Sequence, residues 1–104
     1  MTIQVNGDHN LVIHDEYRAN IQTRLSETLN RFSEHLTRLE IHFSDENGGK
    51  EGLGDKKCVL EARLGGLQPI AVKDNGKTYD LALNGAIAKL KSALDTRLGR
   101  LKEH

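Results

Sequence analysis

Tyr79-Asp-Leu-Ala-Leu-Asn-Gly-Ala-Ile-Ala-Lys-Leu-Lys-Ser-Ala-Leu-Asp-Thr-Arg-Leu-Gly-Arg-Leu-Lys-Glu-His104 closes the chain, and its reading decides the fold. Leu83, Ile87, Leu90, Leu94, Leu98 and Leu101 recur at steps of three and four, the spacing of one helical face. Lys89, Lys91, Arg97, Arg100 and Lys102 stand among or beside them. The segment reads as an amphipathic helix with a core-facing stripe and basic shoulders, and such a stripe needs a surface to bury it. Gly85 and Gly99 each cost about 1 kcal/mol against alanine in a helix interior, and Gly99 is expected to let the last turn fray.

The surface comes from upstream. Ile3 and Val5 alternate with Thr2, Gln4 and Asn6 as a short first strand, and Asn6-Gly7-Asp8-His9-Asn10 is turn chemistry. His14 or Asp15 is placed to cap a helix, with Asp15 and Glu16 suited to its positive end. Tyr17, Ile21, Leu25, Leu29, Phe32 and Leu36 then follow a helical face for about five turns. Leu39-Glu-Ile-His-Phe43 alternates as a half-buried second strand. Residues 44–55 are charged and carry Gly48, Gly49, Gly52 and Gly54, so an exposed loop, flexible over about 45–56, is expected. Cys58, Leu60, Ala62 and Leu64 define a third strand. Pro69-Ile-Ala-Val-Lys73 is a short fourth strand, with Pro69 suited to its first position or to an edge. Asp74-Asn-Gly76 is expected to turn the chain into the closing helix.

The order is β-α-β-β-β-α in an α+β chain expected to form a single domain over residues 1–104. Packing both helices on one face of a four-stranded sheet buries all the apolar stripes together. The other face then shows Glu40, His42, Glu61 and Arg63 to water.

Composition excludes several classes. Hydrophobic residues make up 37% of the chain and no tryptophan is present, so the core should be thin and built on leucine. One cysteine, Cys58, cannot form an internal disulfide and favours a reducing compartment. The polar, alternating N-terminus is not expected to be a signal peptide, and no apolar run approaches the roughly 18–20 residues that cross a bilayer. A cytoplasmic, soluble protein is expected. Fifteen basic residues balance fifteen acidic ones, which argues against coating nucleic acid by bulk charge. A local basic surface remains open: from Lys77 onward six Lys/Arg face Asp80, Asp95 and Glu103.

Catalytic chemistry lacks its parts. Cys58 shares the parity of Leu60 and so points to the core as a structural thiol. His9, His14, His35, His42 and His104 show no metal spacing, and no second cysteine completes a zinc site. Asp15-Glu16 and Asp45-Glu46 read as a helix start and a solvated loop, not an acid/base pair. Gly48-Gly49-Lys50-Glu51-Gly52-Leu53-Gly54 lacks the GxxxxGK[ST] pattern and precedes a strand instead of opening a helix. No enzyme activity, cofactor, metal or small-molecule substrate is expected, nor a DNA or membrane partner.

What remains is charge placement. Arg24 and Arg31, seven apart, share a flank of the first helix with His35 nearby, while Glu27 and Glu34 project on the far side. Arg18 lies closer to the apolar stripe, placed to snorkel from its edge. On the closing helix Lys89 and Arg100 fall on one shoulder with Arg97 at its margin, and Lys91 and Lys102 on the other. With Lys73 and Lys77 at the strand-to-helix turn, these form a candidate surface for phosphates, whose contacts position a protein on nucleic acid without reading sequence. The same pattern fits solubilising residues on ordinary amphipathic helices, and charge alone does not choose between them.

Two stretches add a resemblance. Ala82-Leu-Asn-Gly-Ala-Ile-Ala-Lys-Leu90 resembles the run leading into a Lys-Leu pair in the short ribosome hibernation-promoting factors, also called ribosome-associated inhibitor or sigma-54 modulation proteins. Val12-Ile-His-Asp-Glu-Tyr-Arg18 is similar to that family's approach to its first helix, and element order agrees over residues 2–103. The resemblance implies binding to the small ribosomal subunit and its ribosomal RNA, and a monomer is expected. It would occupy the decoding channel and inhibit translation in slow growth or stress. It also implies RNA contacts at Arg18, Arg24, Arg31 and Lys89, where family members carry basic residues. Relatives often keep basic side chains three and seven residues beyond Lys89; this chain has Ser92 and Thr96 there. Lys91 and Arg97 are adjacent to those positions, but one step along a helix turns a side chain by about 100°.

Two rivals stand beside this reading. A double-stranded RNA reader shares an α-β-β-β-α core but usually opens its last helix with a lysine cluster, which Lys77-Thr-Tyr-Asp80 is not. A protein-interaction module would instead use Leu83, Leu90 and Leu94 as a helix–helix seam in a homodimer.

Overall fold

Alternation of apolar and polar residues does build four strands, and they form one sheet in the order β1-β2-β3-β4. In a computed structural model, residues 1–8, 11–45 and 56–102 are described, the last three of these as backbone only. β1 spans Thr2–Gly7, α1 Asp15–Thr28, β2 Leu36–Asp45, β3 Lys56–Leu64, β4 Ile70–Gly76 and α2 Tyr79–Lys102, with a 3-10 turn at Asn30–Phe32. β1 runs parallel to β2, because α1 carries the chain back between them, and the other two pairings are antiparallel.

Register places the inner-face residues in rows. Val5, Ile41, Leu60 and Val72 form one, and Ile3, Leu39, Ala62 and Ile70 another. Over these rows Ile21, Leu25 and Leu29 of the α1 segment pack with Leu83, Ile87, Leu90, Leu94 and Leu98 of α2 in one continuous core. Each such leucine contributes about 1.5–3 kcal/mol by leaving water. Both helices therefore cover one face. The opposite face shows Glu40, His42, Glu61 and Arg63 at least partly to solvent.

Leu83, Leu90 and Leu94 are fully buried inside this core. They are spent on the sheet, so they do not form the homodimer seam considered above.

The long first helix is corrected. α1 stops at Thr28, Phe32 belongs to the 3-10 turn, and Leu36 opens β2. Leu36 pairs with Leu64 while Arg38 pairs with Arg63, so Thr37 is an extra residue in the strand. This bulge breaks the two-residue alternation and lets Leu36 and Leu39 both point inward. Spacing that mimics a helix is thus produced by a turn and a bulge.

Other boundaries shift as well. His14 is the α1 cap residue but makes no side-chain cap bond. Ser44 and Asp45 extend β2, Lys56 begins β3, and Asp45 pairs with Lys56 at 3.0 Å. The expected loop between them, 46–55, lies outside the described residues, as do His9, Asn10, Glu103 and His104. Asp74, Asn75 and Gly76 continue β4 opposite Cys58, Lys57 and Lys56, so the turn falls at Lys77-Thr78. Thr78 Oγ1 then accepts the Leu81 N–H at 3.1 Å and caps α2. α2 runs on through Gly99 to Lys102.

Candidate nucleic-acid interface

The two helices lie side by side, and the expected cations separate into three groups according to which neighbour each can reach. Arg24, Arg31 and Lys91 face the groove between α1 and α2. Lys89, Arg97, Lys73 and Lys77 lie along the β4 side, while Arg18 reaches β1. The Arg100 side chain lies outside the described residues.

In the groove, Arg24 donates to Asn84 Oδ1 of α2 at 3.1 Å and to Asn20 Oδ1, one turn earlier, at 2.8 Å. Its Nη2 stands 3.0 Å from Asp80 Oδ1, and the Tyr17 hydroxyl donates to the same oxygen at 3.1 Å. Arg31 sits in the 3-10 turn and not on α1, yet still crosses to α2, with Nη1 2.7 Å from Asp95 Oδ1. Its guanidinium also lies 4.3 Å from the centroid of the Phe32 ring, a cation–π contact. Thr28, Arg31, Asn84, Ile87, Ala88, Lys91, Ser92 and Asp95 line a groove of about 410 Å³. Arg31, Phe32, His35, Asp95, Leu98 and Gly99 line a smaller recess of about 180 Å³ beside it.

On the other shoulder of α2, Lys89 Nζ donates to the Lys73 carbonyl at 2.9 Å and stands 3.6 Å from Asp74 Oδ1. Arg97 donates to the Gln68 carbonyl at 2.9 Å, tying α2 to the β3–β4 connection. Lys73 pairs with Val59 in register and so shares the open face of the sheet, away from the helices. Lys77 is exposed in the turn before α2. Arg18 donates to the Val5 carbonyl of β1, the snorkelling its place beside the stripe suggested.

Zero net charge therefore has a local counterpart: Arg24, Arg31 and Lys89 each have a carboxylate beside them. These partners, Asp80, Asp95 and Asp74, were not legible as partners from sequence, and neither was Asn84. Lys91 and Asp95, four apart on one helix, carried a sequence signal of pairing, as did Glu27 and Arg31, whose partner proves to be Asp95 instead. The hydrogen bond from Arg31 holds the Asp95 carboxyl below the usual carboxylate range; desolvation opposes it, and the Arg31 and Lys91 charges reinforce the lowering.

No group of three or more His, Cys, Asp or Glu side chains placed to hold a metal occurs among the described residues. Burial, with the Asp74 charge adding, pushes the Cys58 thiol up to about 12, so at neutral pH it is no nucleophile. No described helix is long and apolar enough to cross a membrane.

Comparison with known proteins agrees with this architecture. Residues 3–102 match the sequence profile of the family described as Sigma 54 modulation protein / S30EA ribosomal protein. Among solved structures, the chain is similar to the N-terminal domain of Protein Y from Thermus thermophilus, with TM-score 0.72 and 20% identity over 92% of this chain and 98% of that one. It is also similar to a ribosomal subunit interface protein from Coxiella burnetii, with TM-score 0.72 and 18% identity over 95% of this chain and 99% of that one. No curated protein matches it in a sequence search.

Proposed function

The chain belongs to the Sigma 54 modulation protein / S30EA ribosomal protein family, and from that premise we propose that it is a non-enzymatic, ribosome-binding inhibitor of translation. It acts as a monomer in the cytoplasm, seated in the decoding channel of the small subunit, and silences ribosomes by occupancy when growth slows. The observation that carries this is the family match across nearly the whole chain. The likeness to a protein named for a ribosomal subunit interface supports it.

The partner surface is ribosomal RNA backbone. Arg24, Arg31 and Lys91 meet phosphates from the inter-helix groove, Lys89, Arg97 and Lys77 meet them along the β4 side, Lys73 from the open face of the sheet, and Arg18 at the β1 edge; Arg100 is a further proposed contact. Cations already paired with carboxylates give weak, reversible, salt-sensitive binding. Each phosphate neutralised releases counterions, so affinity falls steeply as salt rises.

Sedimentation of the pure protein with small ribosomal subunits over a salt series tests the proposal. Co-sedimentation at low salt, lost progressively as salt rises and weakened by Lys89→Glu in a variant that melts as a folded protein, is expected. No association at low salt would sink it. Binding to a short RNA duplex as tight as to the subunit would favour a general double-stranded RNA reader instead.

A further inference from the structure

The Arg31–Asp95 pair differs in kind from its neighbours. Nη1 of Arg31 lies 2.7 Å from Oδ1 and Nη2 donates to Oδ2 at 2.9 Å, a two-pronged contact across the groove. Both side chains are about half exposed, 57% and 50%, so a ligand can approach them. The geometry is the one a guanidinium offers a phosphate: two N–H donors aimed at two oxygens. Arg24 is placed otherwise, because its partner Asp80 also accepts the Tyr17 hydroxyl and is tied into the packing of α1 on α2.

We propose that Arg31 is the seat of one phosphodiester group of the bound RNA and that Asp95 is its built-in competitor, displaced when the phosphate arrives. The inference rests on the ribosome-binding reading and adds to it the residue that sets affinity. Phe32 backs the guanidinium, so Arg31 stays in place while the carboxylate leaves. Lys91 stands four residues before Asp95 on α2 and already acts on its charge, so the displaced carboxylate has a new partner within one helical turn. Thr28 and Ser92 line the same groove and offer hydroxyl donors to the incoming phosphate. An internal anion is exchanged for an external one, and binding gains little net charge neutralisation at this point. That makes release easy.

The test is binding to small subunits over a salt series, by sedimentation, for the wild type, Asp95→Asn, Arg31→Gln and the double variant. Asp95→Asn is expected to bind roughly three- to tenfold tighter at low salt, and to persist to higher salt. Arg31→Gln should bind more weakly than wild type, and in its background the Asp95→Asn gain should shrink to about twofold or less. Asp15→Asn makes the same charge change at an exposed residue in the first turn of α1, and should give no comparable gain. Equal or weaker binding by Asp95→Asn overturns the inference while leaving the ribosome reading intact. A gain that survives Arg31→Gln, or that Asp15→Asn reproduces, overturns it as well. Failure of the wild type itself to bind at low salt overturns the ribosome reading, and the competitor role falls with it.

Discussion

The Asp74 carboxylate of β4 occupies the space that Gly85 of α2 leaves open: a Cβ on Gly85 would stand 1.8 Å from Oδ2 and 2.7 Å from Cγ of Asp74. A glycine inside a long helix costs stability, and here the cost has a reason. It lets β4 approach α2 closely enough for Asp74 to reach Lys89 of the next turn. Gly99, by contrast, faces open space, and nothing in the structure explains it.

Gly85→Ala should therefore destabilise the protein in spite of alanine's better helix propensity. The carboxylate must swing out, and overpacking of this kind costs about 1–3 kcal/mol. Combining it with Asp74→Ala should recover most of the loss. Urea denaturation of the two single variants and the double variant measures the coupling.

Leu90→Ala should cost about 2–5 kcal/mol, because the side chain is fully buried between α2 and the sheet. A lowered urea midpoint with an unchanged, concentration-independent mass is the expected result. A fall in mass on substitution would return this leucine to a subunit seam.

Tyr17 links stability to alkaline pH. Burial first, then the charge of Asp80 and its hydrogen bond, raise the phenol from 10.0 to about 12, with Cys58 adding and Arg24 opposing. The folded-state value lies above the unfolded one, so this stabilisation is complete below about 10 and is lost as pH rises through about 12. Absorbance titration should show a late phenolate that Tyr17→Phe removes. That variant should lose about 0.5–1.5 kcal/mol at neutral pH.

Asp95 acts at the other end of the scale. Its lowered carboxyl contributes stability that is present above the unfolded value and is lost as pH falls through the folded one. Carbon-detected NMR titration should place Asp95 below the usual carboxylate range, and Arg31→Gln should return it towards that range. The pair is exposed, so added salt should shrink the difference.

Much of this architecture was legible because inner-face leucines repeat at helical or alternating spacing over long stretches. α2 was read to its first residue, Tyr79, since nothing competes with its period. The end of α1 was misread because Phe32 and Leu36 are core residues held by a turn and a bulge, which place them at intervals a helix would also produce. Asp74-Asn-Gly76 was misread because turn propensity is local, while the pairing of these residues with 56–58 is set by the partner strand. The cations of the candidate interface were legible as residue types on or beside the expected helix faces. Their carboxylate partners were not, since Arg24 and Arg31 meet Asp80 and Asp95 only when α1 and the 3-10 turn after it are laid against α2.

The long side chains of the helices also finish the sheet. Arg18 and Gln22 of α1 donate to the carbonyls of Val5 and Ile3 on one edge strand, and Lys89 of α2 donates to the Lys73 carbonyl on the other. Edge strands offer unpaired backbone groups to any passing chain, and charged side chains are a common means of denying them. Arg18 and Lys89 thus cap carbonyls on the two edge strands, which guards the protein against pairing with its own copies. Substituting either should raise the tendency to aggregate on concentration, even where folding stability is barely changed.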